Sequence, residues 1–456
     1  MTEPIRLTQR FAQTLTLVLL AVLLFMWSVP GLVAVRNLLP VLLLASALAL
    51  KPDFRNAART LRQPLLAIPV IALTLWIVMH NIFLAWEPAR AWFESAQWFR
   101  SVAVFASSTP SANSPGWQTS TLRSRAWLGT LVISYTLYLA FQIGYKPWST
   151  DASIGTILQQ STPVGSRDLG SYVGTGLVTV WLAELVSQTA SRRSMLDAPR
   201  WLSPAALLVS VGLTVAMMTR NVLPVLLVLV FGAFVAYART RRRDELWRTV
   251  TIGIIAVAVL AMAAAVSVHN DPRWKTLTAA ATAGADIEHN KAWLAAEAAD
   301  NMPLDKAGQP VDSSAYMRTA WIVGLLNEIS RHPLGVGYDR DAFGRALQTH
   351  YGKQVSTKFG HSGILDFTLG VGIPGGLLLV SVLSALTIAG NRRWRGYRSG
   401  AGLALALFVP AYIVRACIDG VVRDHMVEQA FFVAGLLLGL ANLPMTPASG
   451  AAEQAH

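Results

Sequence analysis

His361 and Ser362 stand where a short polar stretch, KFG, gives way to the apolar run GILDFTLGVGIPGG. An imidazole titrates near neutrality, so one placed at the mouth of a membrane span can take a proton from an attacking hydroxyl. The plainer reading is a polar anchor at the interface. Arg220 sits with Asn221 between two apolar stretches, 202–219 and 222–237. At roughly 1.5 Å per residue their combined length is nearly twice the ~30 Å of bilayer hydrocarbon, so Arg220 must mark a tight turn between two spans. A charge there costs about 2.5–3.5 kcal/mol at mid-membrane and less near an interface. It either snorkels to lipid phosphates or receives a substrate phosphate. Arg318 lies on the apolar stripe of its own helix, in register with Trp321, Ile322, Leu325, Leu326 and Ile329. A guanidinium on that face calls for an acidic partner or for the two oxygens of a phosphate. Arg415, Asp419, Arg423, Asp424 and His425 form a further polar cluster between two apolar runs, suited to an ion-pair network or to a substrate cavity.

Other chemistries lack their residues. There is no H-x-x-x-H or HExxH, and His332, His350 and His361 lack helical ligand spacing, so no metal and no cofactor are expected. No G-x-S-x-G, P-loop or dinucleotide fingerprint is present. The single cysteine, Cys417, rules out an intramolecular disulfide or a multi-cysteine metal site.

The elements that must position these groups are membrane helices. The 456 residues are 53% hydrophobic and 14% charged, with a mean hydropathy of +0.45. Soluble domains carry about 25% charged residues. The apolar runs are continuous rather than alternating, which excludes a β-barrel. The net charge of +13 resides in arginine clusters between apolar runs, which are topology signals and not a nucleic-acid surface. Arg6 and Arg10 precede a first apolar core without an A-x-A-like site after it, so an uncleaved first helix is expected.

Eleven spans are clear: 11–29, 32–50, 65–86, 126–145, 170–187, 201–219, 221–238, 249–268, 362–389, 400–418 and 428–443. With an inside N-terminus, the clusters around Arg192, Arg241 and Arg393 fall outside unless one more crossing lies between residues 87 and 125. The aromatic segment 89–107 supplies it, despite Glu94 and Arg100. The expectation is an all-α polytopic membrane protein of about twelve transmembrane helices, with both termini cytoplasmic. Residues 1–268 hold helices one to nine, and 269–360 form a periplasmic loop domain with amphipathic helices. Residues 361–445 hold helices ten to twelve, and 446–456 form a tail. Within the loop an alanine-rich helix is expected over 277–299. Asp312, Ser313 or Ser314 is expected to cap the helix that carries Arg318, and Gly372 and Gly376 to let a neighbouring helix approach.

At these residues a resemblance appears. His361-Ser362, nine intervening residues, Gly372, two more and Gly375 resemble the H-[NSQ]-x9-G-x2-[GTY] pattern of the O-antigen ligases. Arg318, Trp321 and the HPLGVG of 332–337 resemble the R-x2-W and hPl-G-x-G block of the wider ligase and polymerase superfamily. The MTR of 218–220 is similar to its S-R-g element, with Thr219 and Asn221 where Ser and Gly are frequent. The resemblance covers roughly 205–376. It implies a GT-C type glycosyltransferase of the bacterial inner membrane with a periplasmic active site. Such a ligase moves O-antigen from undecaprenyl pyrophosphate to a sugar hydroxyl of lipid A–core, without metal or nucleotide sugar. The family's essential histidine and two arginines map onto His361, Arg318 and Arg220. Ser362, Arg415, Asp419 and Arg423 join them as candidate substrate-binding residues. The nearest rival is an O-antigen polymerase, with the same donor but a second lipid-linked glycan as acceptor, and a third reading is a protein O-oligosaccharyltransferase with a pilin-like acceptor. A transporter of anions or lipids is the rival of a different class, against which stands the lack of paired repeats with broken helices.

Overall fold

The computed structural model describes residues 3–443, apart from 51–53, 113–119, 149–150, 153, 164, 218, 242–245, 271–273, 275, 296–301, 306–307 and 423. Among the described residues no strand forms, only two isolated bridges. The helices run α1 (Glu3–Met26), α2 (Val33–Ala49), α3 (Phe54–Leu61), α4 (Pro64–Phe83), α5 (Pro88–Ala112) and α6 (Ser120–Gly144). Then come α7 (Ile154–Gln159), α8 (Arg167–Ser191), α9 (Leu202–Val215), α10 (Val222–Ala238) and α11 (Leu246–Asn270). The expected loop region holds α12 (Leu277–Ala285), α13 (Ser313–Arg331) and α14 (Ala342–Tyr351). The chain closes with α15 (Gly363–Tyr397), α16 (Gly400–Ile418) and α17 (Asp424–Ala441).

Six of these helices are long and apolar enough to cross a membrane, namely α1, α4, α6, α8, α15 and α16, and five shorter apolar ones lie in α2, α9, α10, α11 and α17. Burial shows the medium they are built for. On α4 the outward residues Ile68, Ile71, Leu75 and Met79 are more than half exposed, while His80 and Asn81 are fully buried. An apolar outer face over a partly polar interior is stable only against lipid, where helices satisfy every backbone group internally. The protein is therefore an all-helical, multi-pass membrane protein. The charged segment 89–107 falls within α5, which packs along α17. Arg100 there donates to Glu428 at 2.8 Å, and Gly435 lets Phe105 and Ser108 come close. These pairings explain how one face of a helix of low hydropathy packs against the bundle.

Two apolar clusters form. One fills the bundle. The other belongs to the segment between α11 and α15 and centres on Trp293, which is fully buried and stacks on Phe343 at 6.4 Å. Burial of Trp293 also ends the alanine-rich helix early. It stops at Ala285 instead of continuing through 295, because Asn290 turns back to donate to the Ala283 carbonyl and Trp293 must point inward; the rest of the expected stretch, 296–299, lies outside the described residues. Packing overrides alanine propensity here.

The two clusters are joined at a break in α15. Gly372 has φ +79°, and the helix opens around it. The turn 333–337 inserts into that opening. Val336 N–H donates to Leu369 O at 3.0 Å, Gly337 N–H to Gly370 O at 2.8 Å, and Ile373 N–H to Pro333 O at 2.8 Å. From α4, Trp76 Nε1 donates to Val371 O at 2.7 Å, and His80 Nε2 bonds Leu334 O at 2.8 Å. The unwound carbonyls are thus satisfied where no water would serve them. A side chain on Gly372 would sit 2.5 Å from the Leu334 backbone, and one on Gly335 2.4 Å from Gly372 N. The Gly372–Gly376 pair therefore does not serve a neighbouring helix as expected. Gly372 admits a loop, and Gly376 faces Thr368 of its own helix. On the other side of the turn, Asp339 is buried between Arg90 and Arg345, and Arg90 also pairs with Asp341. Gly372→Ala or Gly335→Ala should destabilise the protein by about 2–3 kcal/mol, whereas Gly129→Ala, in open space, should be neutral. Thermal unfolding midpoints in detergent test this.

Candidate functional site

Three arginines from three distant parts of the chain meet in one cavity. Arg167 opens α8, Arg220 lies in the turn between α9 and α10, and Arg318 is in the second turn of α13. With Asp168, Thr219, Asn221 and Ser314 they line a small, half-open pocket. Each is there for a local reason. The α9–α10 turn is too short to leave the bundle, so Arg220 and Asn221 must project from its end. Asp312 caps α13 by accepting from Ala315 N–H at 2.8 Å, which aims the first turns of that helix at the same place. Ser166 caps α8 by accepting from Leu169 N–H at 3.3 Å, and the positive end of a 25-residue helix adds to the arginine charges.

Arg220 and Arg318 are each held through one side chain among the described residues. Arg220 Nη2 donates to Asp312 Oδ1 at 2.7 Å, while its Nη1 is buried with no hydrogen-bond partner among the described residues. Arg318 Nη1 donates to the neutral side chain of Asn221 at 2.7 Å. Of the readings open from the sequence, lipid snorkelling is replaced by an ion pair for Arg220, and the partner of Arg318 is an amide, not a carboxylate. Arg220 meets one carboxylate and Arg318 none among the described residues, which leaves this pair with an excess of positive charge. Buried cations so arranged favour a polyanion with several oxygens.

His361 is positioned from the same helix as Arg318. Its ring stacks on Trp321 at 4.8 Å, with the planes 16° apart, and Phe359 leans on it at 4.6 Å. Trp321 follows Arg318 by three residues and is pinned by its own donation to Trp293 O at 3.0 Å. One helical turn thus carries both the arginine and the platform for the imidazole. His361 has φ +54°, a conformation that costs a non-glycine residue of order 1–3 kcal/mol and persists where its surroundings impose it. Ser362 next to it is fully buried, and its hydroxyl has no hydrogen-bond partner among the described residues.

Arg415 and Asp419 link the two halves. Arg415 is 1% exposed; its Nη2 donates to Asp419 Oδ2 at 3.0 Å and to the backbone carbonyl of Asp168 at 2.9 Å. The Asp419 carbonyl accepts from Gly363 N–H at 3.0 Å, at the first residue of α15. The ion pair therefore ties the start of α8, on the cavity wall, to the start of α15, beside His361. The pair fits the ion-pair reading of Arg415 and Asp419, while Nε and Nη1 of Arg415 stay buried without a hydrogen-bond partner among the described residues. Arg423 lies outside the described residues.

Sequence reasoning missed Arg167, Asn221 and the role of Trp321 as a stacking surface. Arg167 carries the signal that singled out Arg220: an arginine on the side of the expected topology that positive-inside statistics disfavour. Nothing in the sequence pairs Arg220 with Asp312 across 92 positions. A wider, open pocket of about 410 Å3, with Arg192, Arg200 and Arg241, lies at the opposite end of α8, away from these motifs. Asparagine caps helices as well as aspartate does, so Asp312→Asn and Asp312→Ala both remove the charge partner of Arg220 but differ in the cap. The alanine variant should be less stable by about 1 kcal/mol, read as the difference between their unfolding midpoints.

Residues 205–380 match a family model described as O-antigen ligase. That stretch contains Arg220, Asp312, Arg318, Trp321, His361 and the α15 break. No curated protein matches the chain.

Proposed function

Starting from the O-antigen ligase/polymerase superfamily, to which the domain at residues 205–380 belongs, we propose that the protein is the ligase. It transfers O-antigen from undecaprenyl pyrophosphate to a sugar hydroxyl of lipid A–core at the periplasmic face of the inner membrane. About twelve crossings of GT-C type carry the site. The observation that supports this reading best is the cavity of Arg167, Arg220 and Arg318 set one helical turn from the Trp321–His361 stack. It offers a place for a pyrophosphate and, beside it, a base for a hydroxyl.

In this mechanism Arg220 and Arg318 bind the pyrophosphate and stabilise the charge that builds on it as the sugar C1–O bond breaks. Preplaced cations in a dry site act in this way without reorganising. The open Nη1 of Arg220 is available to a phosphate oxygen, while Asp312 holds the other arm of the fork. His361, fixed against Trp321, takes the proton of the acceptor hydroxyl as that oxygen attacks C1 from the face opposite the pyrophosphate, so the anomeric centre inverts. Undecaprenyl pyrophosphate leaves with both electrons of the broken bond. The exposed apolar helix faces, such as that of α4, border the lipid that holds the polyprenyl tail and the acyl chains of the acceptor.

Arg220→Ala and Arg318→Ala should each lower the transfer rate by about 10²–10³, and His361→Ala by about 10²–10⁴. The assay is transfer of lipid-linked glycan to lipid A–core by inserted, folded protein; undiminished transfer by either His361→Ala or Arg318→Ala would refute the mechanism. Trp321→Phe should retain a stacking face and most of the rate, while Trp321→Ala loses at least about tenfold with donor KM unchanged. The lipopolysaccharide of a deletion strain separates the rival activities. Loss of all O-antigen bands with accumulation of lipid-linked polymer fits the ligase. A single-repeat band indicates a polymerase, and an unchanged pattern a protein acceptor or a transporter.

A further inference from the structure

At the far end of α13, about ten residues or ~15 Å beyond Arg318, lies a cluster that the transfer mechanism does not use. Glu328 and His332 share one helical face, and His350 reaches them from the last turn of α14. We propose that these three side chains form a binding site for a divalent transition-metal ion of the zinc class.

The geometry is specific. Glu328 Oε2 lies 3.7 Å from His332 Nε2 and 3.6 Å from His350 Nε2, and all three atoms fall within 4.8 Å of one another. Those gaps are too wide for hydrogen bonds. They are close to the edge of a tetrahedron with metal–ligand bonds of ~2.0–2.1 Å, which is roughly 3.3 Å. Glu328 is 1% exposed. Its Oε2 and the Nε2 of His332 are both buried with no hydrogen-bond partner among the described residues. Two buried polar atoms that face each other across a gap need something between them. The second carboxylate oxygen, Oε1, accepts from Arg331 Nη1 at 2.7 Å, which orients Oε2 toward the histidines. His332 is held on its other side by Trp86, edge to face at 5.0 Å. His350 is 40% exposed and free to swing the last few tenths of an ångström.

The donor set decides the metal. Two imidazole nitrogens and one carboxylate oxygen suit zinc and its neighbours, whereas magnesium and calcium take oxygen ligands. Three protein ligands leave a fourth position for water. An ion here would clamp the end of α13 to α14 immediately before Pro333, the residue that begins the insertion into α15. The sequence hides the site because its spacing is E-x-x-x-H, with the third ligand eighteen residues later on another helix.

The test uses the full chain in detergent, purified without a polyhistidine tag and stripped by chelator. After equilibration with zinc and gel filtration, elemental analysis should find about one zinc per chain. The unfolding midpoint should rise with zinc and not with magnesium. His350→Ala changes an exposed residue, so it should match the stripped wild type in midpoint, yet retain no zinc and show no zinc-dependent rise. Glu328→Gln should weaken zinc binding by at least about tenfold. Wild-type protein that retains no zinc, or equal retention by wild type and His350→Ala, would overturn the proposal.

Discussion

The arrangement depends on one backbone interlock. The helix α15 opens at Gly372, and the turn 333–337 enters the opening to exchange three hydrogen bonds with it. A broken helix at membrane depth is tolerated only where other groups take over its lost bonds. Here the turn and Trp76 of α4 do so, while His80 of α4 holds the turn at Leu334 O. Everything beyond the interlock follows from it. It sets where α13 ends, because His332 caps that helix and Pro333 already belongs to the insertion. It also fixes the first ten residues of α15, and thus His361 and Ser362 just before them. A segment with its own apolar core is in this way held in register with the bundle.

Charge is the second constraint. In a low-dielectric setting each arginine must be accounted for, and the site does so unevenly. Asp339 is enclosed by Arg90 and Arg345 on the side of α5, and Asp419 holds Arg415. These pairs are structural. Among the described residues Arg220 shares a carboxylate with a helix cap, and Arg318 meets an amide. Capacity for an anion is left on Nη1 of Arg220 and also on Nε and Nη1 of Arg415, all buried without a hydrogen-bond partner among the described residues. Removing one partner of a buried pair costs several kilocalories, so this distribution cannot shift without consequence.

Much of this was legible in the sequence because the signals are local. Apolar runs of sufficient length define membrane helices whatever their neighbours are. An arginine between two such runs is expensive in any fold, so Arg220 stood out on its own. The spacing from His361 to Gly375 and the Arg318–Trp321 pair were visible as motifs, although their reason was not. Trp321 proved to be a surface for the imidazole, and Gly372 a gap for a loop. The alanine-rich stretch was misjudged because propensity is a weak preference, and the burial of one tryptophan outweighs it.

The sequence by itself determined the medium, the helices and the residue types able to do chemistry, since hydropathy and charge act over a few residues. Only the tertiary structure decided which of those residues meet. Arg167, Arg220 and Arg318 are brought into one cavity by helix ends that are far apart in the chain, and Asp312 finds Arg220 across 92 positions. Contacts of that kind are set by the packing of whole helices and by one interlocked turn. No short pattern of residues encodes them.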